Sequence, residues 1–286
     1  MYRRILIQVS SILIAAVISI IIMGEILTGP ASTAVGILIP DFPVESVKIP
    51  AGKDHEVHGW LTRGIRGNGV VLLVHSIRSN RLEMLGRARF LNDRGYSVLL
   101  IDLQAHGETP GERITFGIRE SQDVKTAVAY LRNNFPHERI AAIGVTLGAA
   151  AIILADPPLK LDAIVLESLH PTFEEAVENR LKLHLGEFGV WIKPLLLSYL
   201  SLLLDLSTNE LNPIDRISNL SMPILLISGT HDKHTTQSEA ERLFNAALQP
   251  KELWIVPGAG HYNMHTYDRR GYEDRISSFL SRYLWQ

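Results

Sequence analysis

The chain has 286 residues, of which 46% are hydrophobic and 20% are charged, and it carries a formal net charge of −2 with a pI near 6.6. This balance gives no electrostatic basis for binding nucleic acid, and the absence of cysteine excludes disulfides, thiolate catalysis and cysteine-based metal sites. The length suits one domain of roughly 200–250 residues together with an appendage.

The first predicted element is a hydrophobic helix. Residues 5–27 form a longer apolar run than the roughly 20 residues that cross a bilayer, and a longer one than the core of about 7–15 residues in a cleaved signal peptide. We therefore predict an amino-terminal transmembrane anchor, or uncleaved signal, over residues 1–28, although residues 30–34 could contain a cleavage site. Arg3 and Arg4 precede the span and no early basic cluster follows it. A single-pass protein is expected, with its amino end in the cytoplasm and its larger part on the periplasmic side of a bacterial membrane.

The remaining chain is predicted to form one α/β domain. Residues 29–42 are small and irregular and are interpreted as a linker, so the domain is expected at residues 43–286. A hairpin at the sheet edge is expected from Ser46–Ile49 and Val57–Leu61, which flank Gly52-Lys53-Asp54. Further strands are predicted at residues 69–75, 96–102, 140–143, 161–166, 223–228 and 253–256, and helices at residues 80–94, 117–134 and 267–284. This alternation predicts a mostly parallel central sheet with helices on both faces.

An insertion of residues 170–220 interrupts the alternation. Its middle, Val190 to Leu206, is nearly all apolar, but Lys193, Pro194 and Asp205 make it a poor membrane span. Two interpretations remain open. The insertion is either a helix pair packed over the core, or a lid that roofs an apolar substrate pocket or rests on the same membrane.

The segment from Arg139 to Ala155 contains a strand, a tight glycine-flanked turn and a helix of small residues. This order is typical of a nucleophile elbow, in which the middle residue of the turn presents its oxygen at the top of the sheet. Gly144 and Gly148 suit the turn because a Cβ at these positions would collide with the neighbouring strand or helix. The middle residue is Thr146, which makes its hydroxyl the candidate nucleophile.

Two later segments supply an acid and a base in the chain order nucleophile, acid, histidine. Asp232 follows one predicted buried strand, and His261 ends the glycine-rich loop after the next. Nucleophilic acyl transfer needs a base beside the hydroxyl and an acid that orients the base. Glu167, which ends the preceding strand, is the alternative acid, and His265 is the alternative base.

Two other histidines flank the candidate acid. His231 and His234 have the spacing of a metal-binding pair, but no third ligand lies beside them in the sequence. We interpret them as surface residues, and we expect neither a metal nor an organic cofactor.

The oxyanion that forms during acyl transfer must be held by hydrogen-bond donors. One is expected to be the backbone N–H of Leu147, directly after the nucleophile, and the second should come from the loop after the strand at residues 69–75. With these features, the chain resembles the α/β-hydrolase superfamily, particularly bacterial serine-aminopeptidase-like or lysophospholipase-like hydrolases, over about residues 44–284. The matching segments are His75-Ser76, DLQAHGE at 102–108, the elbow, GTHD at 229–232 and GAGH at 258–261.

The resemblance implies an α/β-hydrolase fold with a helical lid insertion. It implies a catalytic triad of Thr146, Asp232 and His261, with the Ile77 N–H joining Leu147 as the second oxyanion donor.

The resemblance also implies structural loop roles for two histidines, His75 and His106. Ser76 stands where the family usually has glycine, and Thr146 stands where it has serine. Threonine keeps the hydroxyl, but a β-branched residue at the positive φ of an elbow is unusual and costs about 1–3 kcal/mol.

The sequence therefore predicts a membrane-held hydrolase of small ester-type substrates with an acyl or lipid-like character. The alternative is an impaired or inactive relative, a pseudoenzyme or Ser-to-Thr variant, that binds ligand in the same pocket. Ester against amide specificity and the oligomeric state stay open.

Overall fold

An eight-stranded sheet forms the centre of the molecule in a computed structural model that describes residues 2–35, 40–53 and 55–285. The strands are β1 (Ala31–Ser32), β2 (Glu45–Pro50), β3 (Glu56–Thr62), β4 (Val70–Val74), β5 (Ser97–Ile101), β6 (His106–Gly107), β7 (Ile140–Val145), β8 (Ala163–Glu167), β9 (Ile224–Gly229) and β10 (Lys251–Val256). The helices are α1 (Tyr2–Thr28), α2 (Leu85–Asp93), α3 (Glu120–Asn134), α4 (Leu147–Ile153), α5 (Phe173–Leu185), α6 (Glu187–Leu204), α7 (Ile214–Ile217), α8 (Gln237–Ala246), α9 (Met264–Tyr267) and α10 (Arg269–Leu284). Two 3₁₀ turns span Arg81–Met84 and Thr208–Leu211. Residues 36–39 of the predicted linker and Asp54 of the predicted hairpin turn lie outside the described residues.

The spatial order of the sheet is β10-β9-β8-β7-β4-β5-β3-β2. Neighbours from β10 to β5 run parallel, whereas β3 and β2 are antiparallel to their neighbours at one edge. The α/β prediction is confirmed, and the predicted hairpin forms the edge of the sheet. The carboxyl ends of the parallel strands lie at one side, so residues that follow β4, β7, β9 and β10 are brought together there.

Helices cover both faces because the central strands are apolar at every position. In β4, three side chains (Val70, Leu72, Val74) belong to one hydrophobic core and two (Val71, Leu73) to the other, and all are fully buried. Successive side chains of a strand point to opposite faces, so such a run needs cover on both. Helices α3, α4 and α8 pack in the first core, and α2, α9 and α10 pack in the second.

The helix predicted at residues 80–94 begins as the 3₁₀ turn Arg81–Met84 and continues as α2. Leu82 and Leu85 are partly buried and pack against the second core, and Met84, Ala88 and Leu91 are the fully buried apolar positions of this segment. The spacing of four and three between the last three residues is that of one α-helical face.

The amino-terminal helix α1 docks its last turns on the domain. Gly24 lies so close to Tyr199 that a Cβ would come within 2.5 Å of the ring. Arg113 Nη1 lies 2.8 Å from Glu25 Oε2. After the helix, β1 pairs with β6 and Val35 is fully buried. The described part of the predicted linker is therefore packed onto the domain, and the domain boundaries themselves stay a prediction.

Two helices carry long apolar stretches. Among the described residues, α6 is long and apolar enough to cross a membrane by length and composition, with a mean hydropathy of 1.4 and 22% of the stretch buried. Ile14–Thr28, within α1, is a shorter apolar stretch. Large apolar side chains of both helices point outward; among them are Ile14, Val17, Ile22, Phe188, Trp191 and Leu202.

The insertion of residues 170–220 forms the helix pair α5 and α6, a 3₁₀ turn and α7. The pair has a hydrophobic cluster of its own, separate from the two cores of the sheet. Phe173, Val177 and Leu181 of α5 meet Leu196 of α6 there, and Ile20 of α1 joins them. The amino-terminal helix and the insertion are thus one packed unit.

Candidate active site

The turn between β7 and α4 has the geometry of an elbow. Thr146 has φ 44° and ψ −98°, which confirms the positive φ expected there. A Cβ at Gly148 would lie 2.4 Å from Val74 O, and one at Gly144 would lie 2.6 Å from Ala149 N, so neither position admits a side chain. The Thr146 hydroxyl is buried, and none of the residues that the structure describes is hydrogen-bonded to it.

Asp232 and His261 meet at the same side of the sheet, after β9 and β10. His261 Nδ1 lies 2.8 Å from Asp232 Oδ2, and Asp232 Oδ1 accepts from the backbone N–H groups of His234 and Thr235 at 2.8 and 2.9 Å. Burial raises the pKa of Asp232, but the hydrogen bond and charge of His261 and the two backbone donors outweigh it and lower the pKa below its usual value. An ionised Asp232 holds the ring proton on Nδ1, which leaves the Nε2 lone pair to accept a proton.

Glu167, the alternative acid, is engaged elsewhere. Its carboxylate is bound by Arg87 Nε at 3.0 Å and Arg87 Nη2 at 2.5 Å, and the Tyr272 hydroxyl donates to it at 2.5 Å. Both oxygens are therefore used inside the domain, away from His261. The structure does not support Glu167 as the orienting acid.

The other histidines near the site have separate partners. His265, the alternative base, lies with its Nε2 3.1 Å from Glu273 Oε1 and is buried. His231 is exposed, as predicted. The surface interpretation of His234 is wrong, because its ring is partly buried and packs at 4.6 Å from the His261 ring. Burial, together with His261 and Arg180, lowers the pKa of His234 to about 4.

Neutral histidines shape the loop after β4. His75 Nε2 accepts from the Leu103 N–H at 3.0 Å, and His106 Nε2 accepts from the Arg78 N–H, also at 3.0 Å. Burial lowers the pKa of both rings to about 4. Each ring thus serves as a backbone acceptor, which a protonated imidazole cannot do.

The same loop presents Ile77. Ser76 anchors it, because its hydroxyl and its N–H both donate to Glu83 Oε2, at 2.7 and 2.9 Å. Ile77 and Leu147 line one cavity together with Thr146. Within the described chain neither of their backbone N–H groups has a hydrogen-bond partner, so both are available as donors.

The cavity beside Thr146 has a volume of about 250 Å³ and almost entirely apolar walls. Its lining comes from the elbow, the loop after β4, helices α5 and α6, and the end of α1. Representative wall residues are Met23, Leu27, Phe173, Val177 and Leu196. The sequence assigned α1 to membrane anchoring alone, yet Met23 and Leu27 form part of the cavity wall.

Sequence reasoning missed two polar residues of this cavity. His170 follows β8 and lines the cavity, and its buried Nε2 has no hydrogen-bond partner among the described residues. Burial, with contributions from Arg180 and His261, lowers its pKa to about 3. Arg180 of α5 lines the cavity as well. No motif marks either residue, although Arg180 interrupts an apolar helix face, which was the available signal.

The part of the chain that the structure describes holds no group of three or more His, Cys, Asp or Glu side chains that could bind a metal ion. In particular, His231 and His234 are joined by no third ligand. The chemistry that the site offers is that of an oxygen nucleophile, an imidazole, a carboxylate and two backbone donors.

Residues 57–274 match the sequence model of the alpha/beta hydrolase family. The Mycobacterium tuberculosis (H37Rv) protein named uncharacterized protein Rv2307c is 32% identical over 259 residues, which cover 84% of this chain and 83% of the relative. A protein named carboxylesterase from Bacillus subtilis is 23% identical over 237 residues, covering 77% of this chain and 95% of the relative.

Among solved structures, the Pyrococcus furiosus esterase Pf2001 superposes with a TM-score of 0.73 at 23% identity. The alignment covers 89% of this chain and 99% of the esterase. At this identity the likeness shows the shared fold.

Proposed function

This chain belongs to the alpha/beta hydrolase family, and on that premise we propose that it hydrolyses ester-type acyl substrates with Thr146 as nucleophile, His261 as base and Asp232 as the orienting acid. Esterases among its relatives support a hydrolase of small-molecule esters. The observation that carries the assignment is the 2.8 Å contact between His261 Nδ1 and Asp232 Oδ2 at the strand ends that also present the elbow.

The proposed reaction follows from this geometry. His261 Nε2 takes the hydroxyl proton of Thr146 as the oxygen attacks the ester carbonyl, and the carbonyl electron pair moves to the oxyanion. The N–H groups of Ile77 and Leu147 stabilise that oxyanion. Its collapse breaks the bond to the leaving alcohol, which takes the proton from His261, and a water molecule repeats the sequence to release the acid. The Thr146 hydroxyl is not bonded to His261 without substrate, and such contacts often tighten only in the complex.

Threonine limits the rate in this proposal. Its β-branch is held at φ 44°, a conformation that costs about 1–3 kcal/mol for such a residue. The extra methyl group also occupies space beside the acyl carbon, where an error of about 1 Å in position can cost roughly 10²-fold in rate. We expect slow turnover that serine would accelerate.

The cavity supports an acyl substrate. Its walls are almost entirely apolar, and its volume is about 250 Å³. That volume suits a short acyl group inside the cavity, with any longer chain leaving through its mouth. We propose that α5 and α6 act as the lid over this pocket.

The membrane anchor is part of the proposal. Helix α1 has 27 residues, and its turns from Ile20 onward pack on the insertion. The 18 residues before Ile20 are about 27 Å long at 1.5 Å per residue, close to a hydrocarbon core of about 30 Å. With the amino end in the cytoplasm, the active site would face the periplasm. A carboxyl-terminal reporter that is active only in the cytoplasm should be inactive in this fusion, and an active reporter contradicts the orientation.

A fluorophosphonate probe tests the nucleophile, because it labels hydroxyls that are activated by a general base. We expect slow labelling of the natural protein, labelling of Thr146→Ser at least about 10-fold faster, and none of His261→Ala. His231→Ala is the matched control, since it removes an exposed imidazole and should label like the natural protein. A folded Thr146→Ser protein that resists labelling contradicts the hydrolase assignment.

A second candidate function is ligand binding without turnover. The specific observation in its favour is the Thr146 hydroxyl, which has no hydrogen-bond partner in the described part of the chain. That candidate predicts that the natural protein is not labelled by the probe and hydrolyses no ester. The Thr146→Ser variant, in contrast, should be labelled and should hydrolyse esters.

A further inference from the structure

One cation lies on the cavity face of α5. The residues of this helix that line the cavity recur at intervals of three and four, as one helical face does; they are Phe173, Ala176, Val177, Arg180, Leu181 and His184. Arg180 occupies the middle of this face, between apolar turns. Arg180 therefore lines the same cavity as the candidate nucleophile.

Arg180 has no ionic partner of its own. Its Nη1 donates to the carbonyl of Ala176 at 3.0 Å, and within the described residues it forms no salt bridge. Burial lowers the pKa of Arg180, while the more distant charges of Asp232 and Glu239 raise it. Those carboxylates are committed elsewhere: Asp232 to His261, and Glu239 to the side-chain amide of Asn179 at 2.8 Å.

Two fully buried arginines show what is missing at Arg180, which is partly buried. Arg81 is bound by Asp102 and Glu108, and Arg87 is bound by Glu167 and Tyr272. Proteins pair charges that are withdrawn from water because an isolated one loses hydration without compensation. Arg180 forms no such ion pair within the described residues, and a bound anion would provide one.

We propose that Arg180 binds an anionic group, a carboxylate or a phosphate, carried by the acyl substrate, which makes it a specificity-determining residue; this rests on the proposed function. A guanidinium can hold either anion through two parallel hydrogen bonds. His184 lies one turn further along the same face, toward the exposed end of α5, and also lines the cavity.

Hydrolysis in the Thr146→Ser background measures the preference. One substrate pair is the para-nitrophenyl monoester of glutarate and its neutral isostere with an isopropyl group in place of the carboxylate. A second pair, butyryl glycerol phosphate and monobutyrin, places a phosphate on the alcohol side. For each pair, kcat/KM of the anionic substrate is divided by kcat/KM of the neutral substrate. We expect this ratio to exceed 10 for at least one pair, and the pair that shows it identifies the anion as a carboxylate or a phosphate.

Substitution of the arginine tests the assignment. Arg180→Met should lower that ratio at least about 10-fold, and Arg180→Lys should keep most of it. Lys182→Gln is the matched control, because it removes an exposed cation from the same helix and should leave the ratio unchanged. A ratio near one in the parent protein, an unchanged ratio in Arg180→Met, or an equal fall in Lys182→Gln overturns the proposal.

Binding to the natural chain separates this proposal from the proposed function. Calorimetric titration compares butyrate with the neutral, isosteric butyramide and needs neither turnover nor a folded Arg180→Met variant. We expect butyrate to bind at least about 10-fold more tightly. Equal binding overturns the role of Arg180 even if esters are hydrolysed, whereas tight butyrate binding without probe labelling keeps the anion site and contradicts only the hydrolase assignment.

Discussion

Glu167 ends β8, and Asp232 lies in the turn after the neighbouring strand β9, yet the two carboxylates are held in opposite ways. Glu167 is enclosed by Arg87 and Tyr272, and both of its oxygens are used inside the core. Asp232 directs one oxygen to backbone donors and the other to His261, whose side chain is 25% exposed. A position at a strand end therefore does not make a carboxylate reactive. The reactivity of each carboxylate depends on the group that is hydrogen-bonded to it.

The partners of the two carboxylates differ in the atoms that they leave available. Burial and Glu167 raise the pKa of Tyr272 well above its usual value, so its phenol stays protonated and donates. Arg87 stays charged. His261 instead has one nitrogen fixed by Asp232 and the other available. We expect the Glu167 cluster to stabilise the fold and, under the proposed function, the Asp232–His261 pair to transfer a proton; substitutions should separate these roles.

The largest effect is expected at Asp232. Asp232→Asn keeps an oxygen for the backbone donors, but its amide group favours the wrong tautomer of His261, so esterase kcat in the Thr146→Ser background should fall by about 10³–10⁴-fold. Unfolding in urea should show a loss of only about 1–2 kcal/mol. Less than a 10-fold fall in kcat would place the orienting acid elsewhere.

Glu167→Gln should show the reverse pattern. Removing one partner of a buried ion pair leaves Arg87 uncompensated and should lower the free energy of unfolding by about 3–5 kcal/mol. The kcat of the fraction that remains folded should change less than about 3-fold. Urea denaturation and active-site titration at low temperature measure both quantities, and a selective loss of kcat would return Glu167 to the catalytic site.

Acid should weaken the structural histidines. His75 and His106 have pKa values near 4 in the folded protein against 6.5 in the unfolded chain, so the unfolded chain binds more protons between these values. Their stabilising effect is complete above pH 6.5 and is lost as the pH falls toward 4. At pH 5 each should cost about 2 kcal/mol of unfolding free energy relative to pH 7.

His106→Gln isolates this contribution, because an amide oxygen can accept the Arg78 N–H at any pH. The decrease in unfolding free energy between pH 7 and pH 5 should be about 2 kcal/mol smaller than in the natural protein. The His75 ring lies 5.1 Å from His106, so the difference includes any change in the pKa of His75, whereas distant titrating groups cancel. An identical pH dependence would show that folding does not lower the pKa of His106.

The smallest effect is expected at the loop that presents Ile77. Ser76→Gly restores the residue usual in the family and removes the hydroxyl bond to Glu83, while the backbone N–H keeps its own bond. Stability should fall by about 1 kcal/mol, and kcat should stay within about 3-fold. A 10-fold change in kcat would mean that the hydroxyl itself positions the oxyanion loop.

Local patterns in the chain predicted much of this molecule. The continuous apolar run of β4 predicted a sheet that is covered on both faces, and the glycine-flanked turn at Thr146 predicted an elbow. Both patterns could be recognised because periodicity and backbone strain act over a few residues. The first turn of the helix predicted at residues 80–94 is a 3₁₀ turn, so α2 itself begins at Leu85. The prediction that His234 is a surface residue was wrong, because its burial depends on the His261 ring, which is remote in the chain.

By itself, the sequence determined the order of strands and helices, the strained turn, and a shortlist of acids and bases, because each depends on neighbouring residues. Only the tertiary structure decided which carboxylate meets His261 and that the end of α1 closes the cavity beside Thr146. It also decided that Arg180 lines that cavity without an ionic partner in the described chain. These outcomes depend on contacts between distant segments, and no local period records which segments the folded sheet brings together.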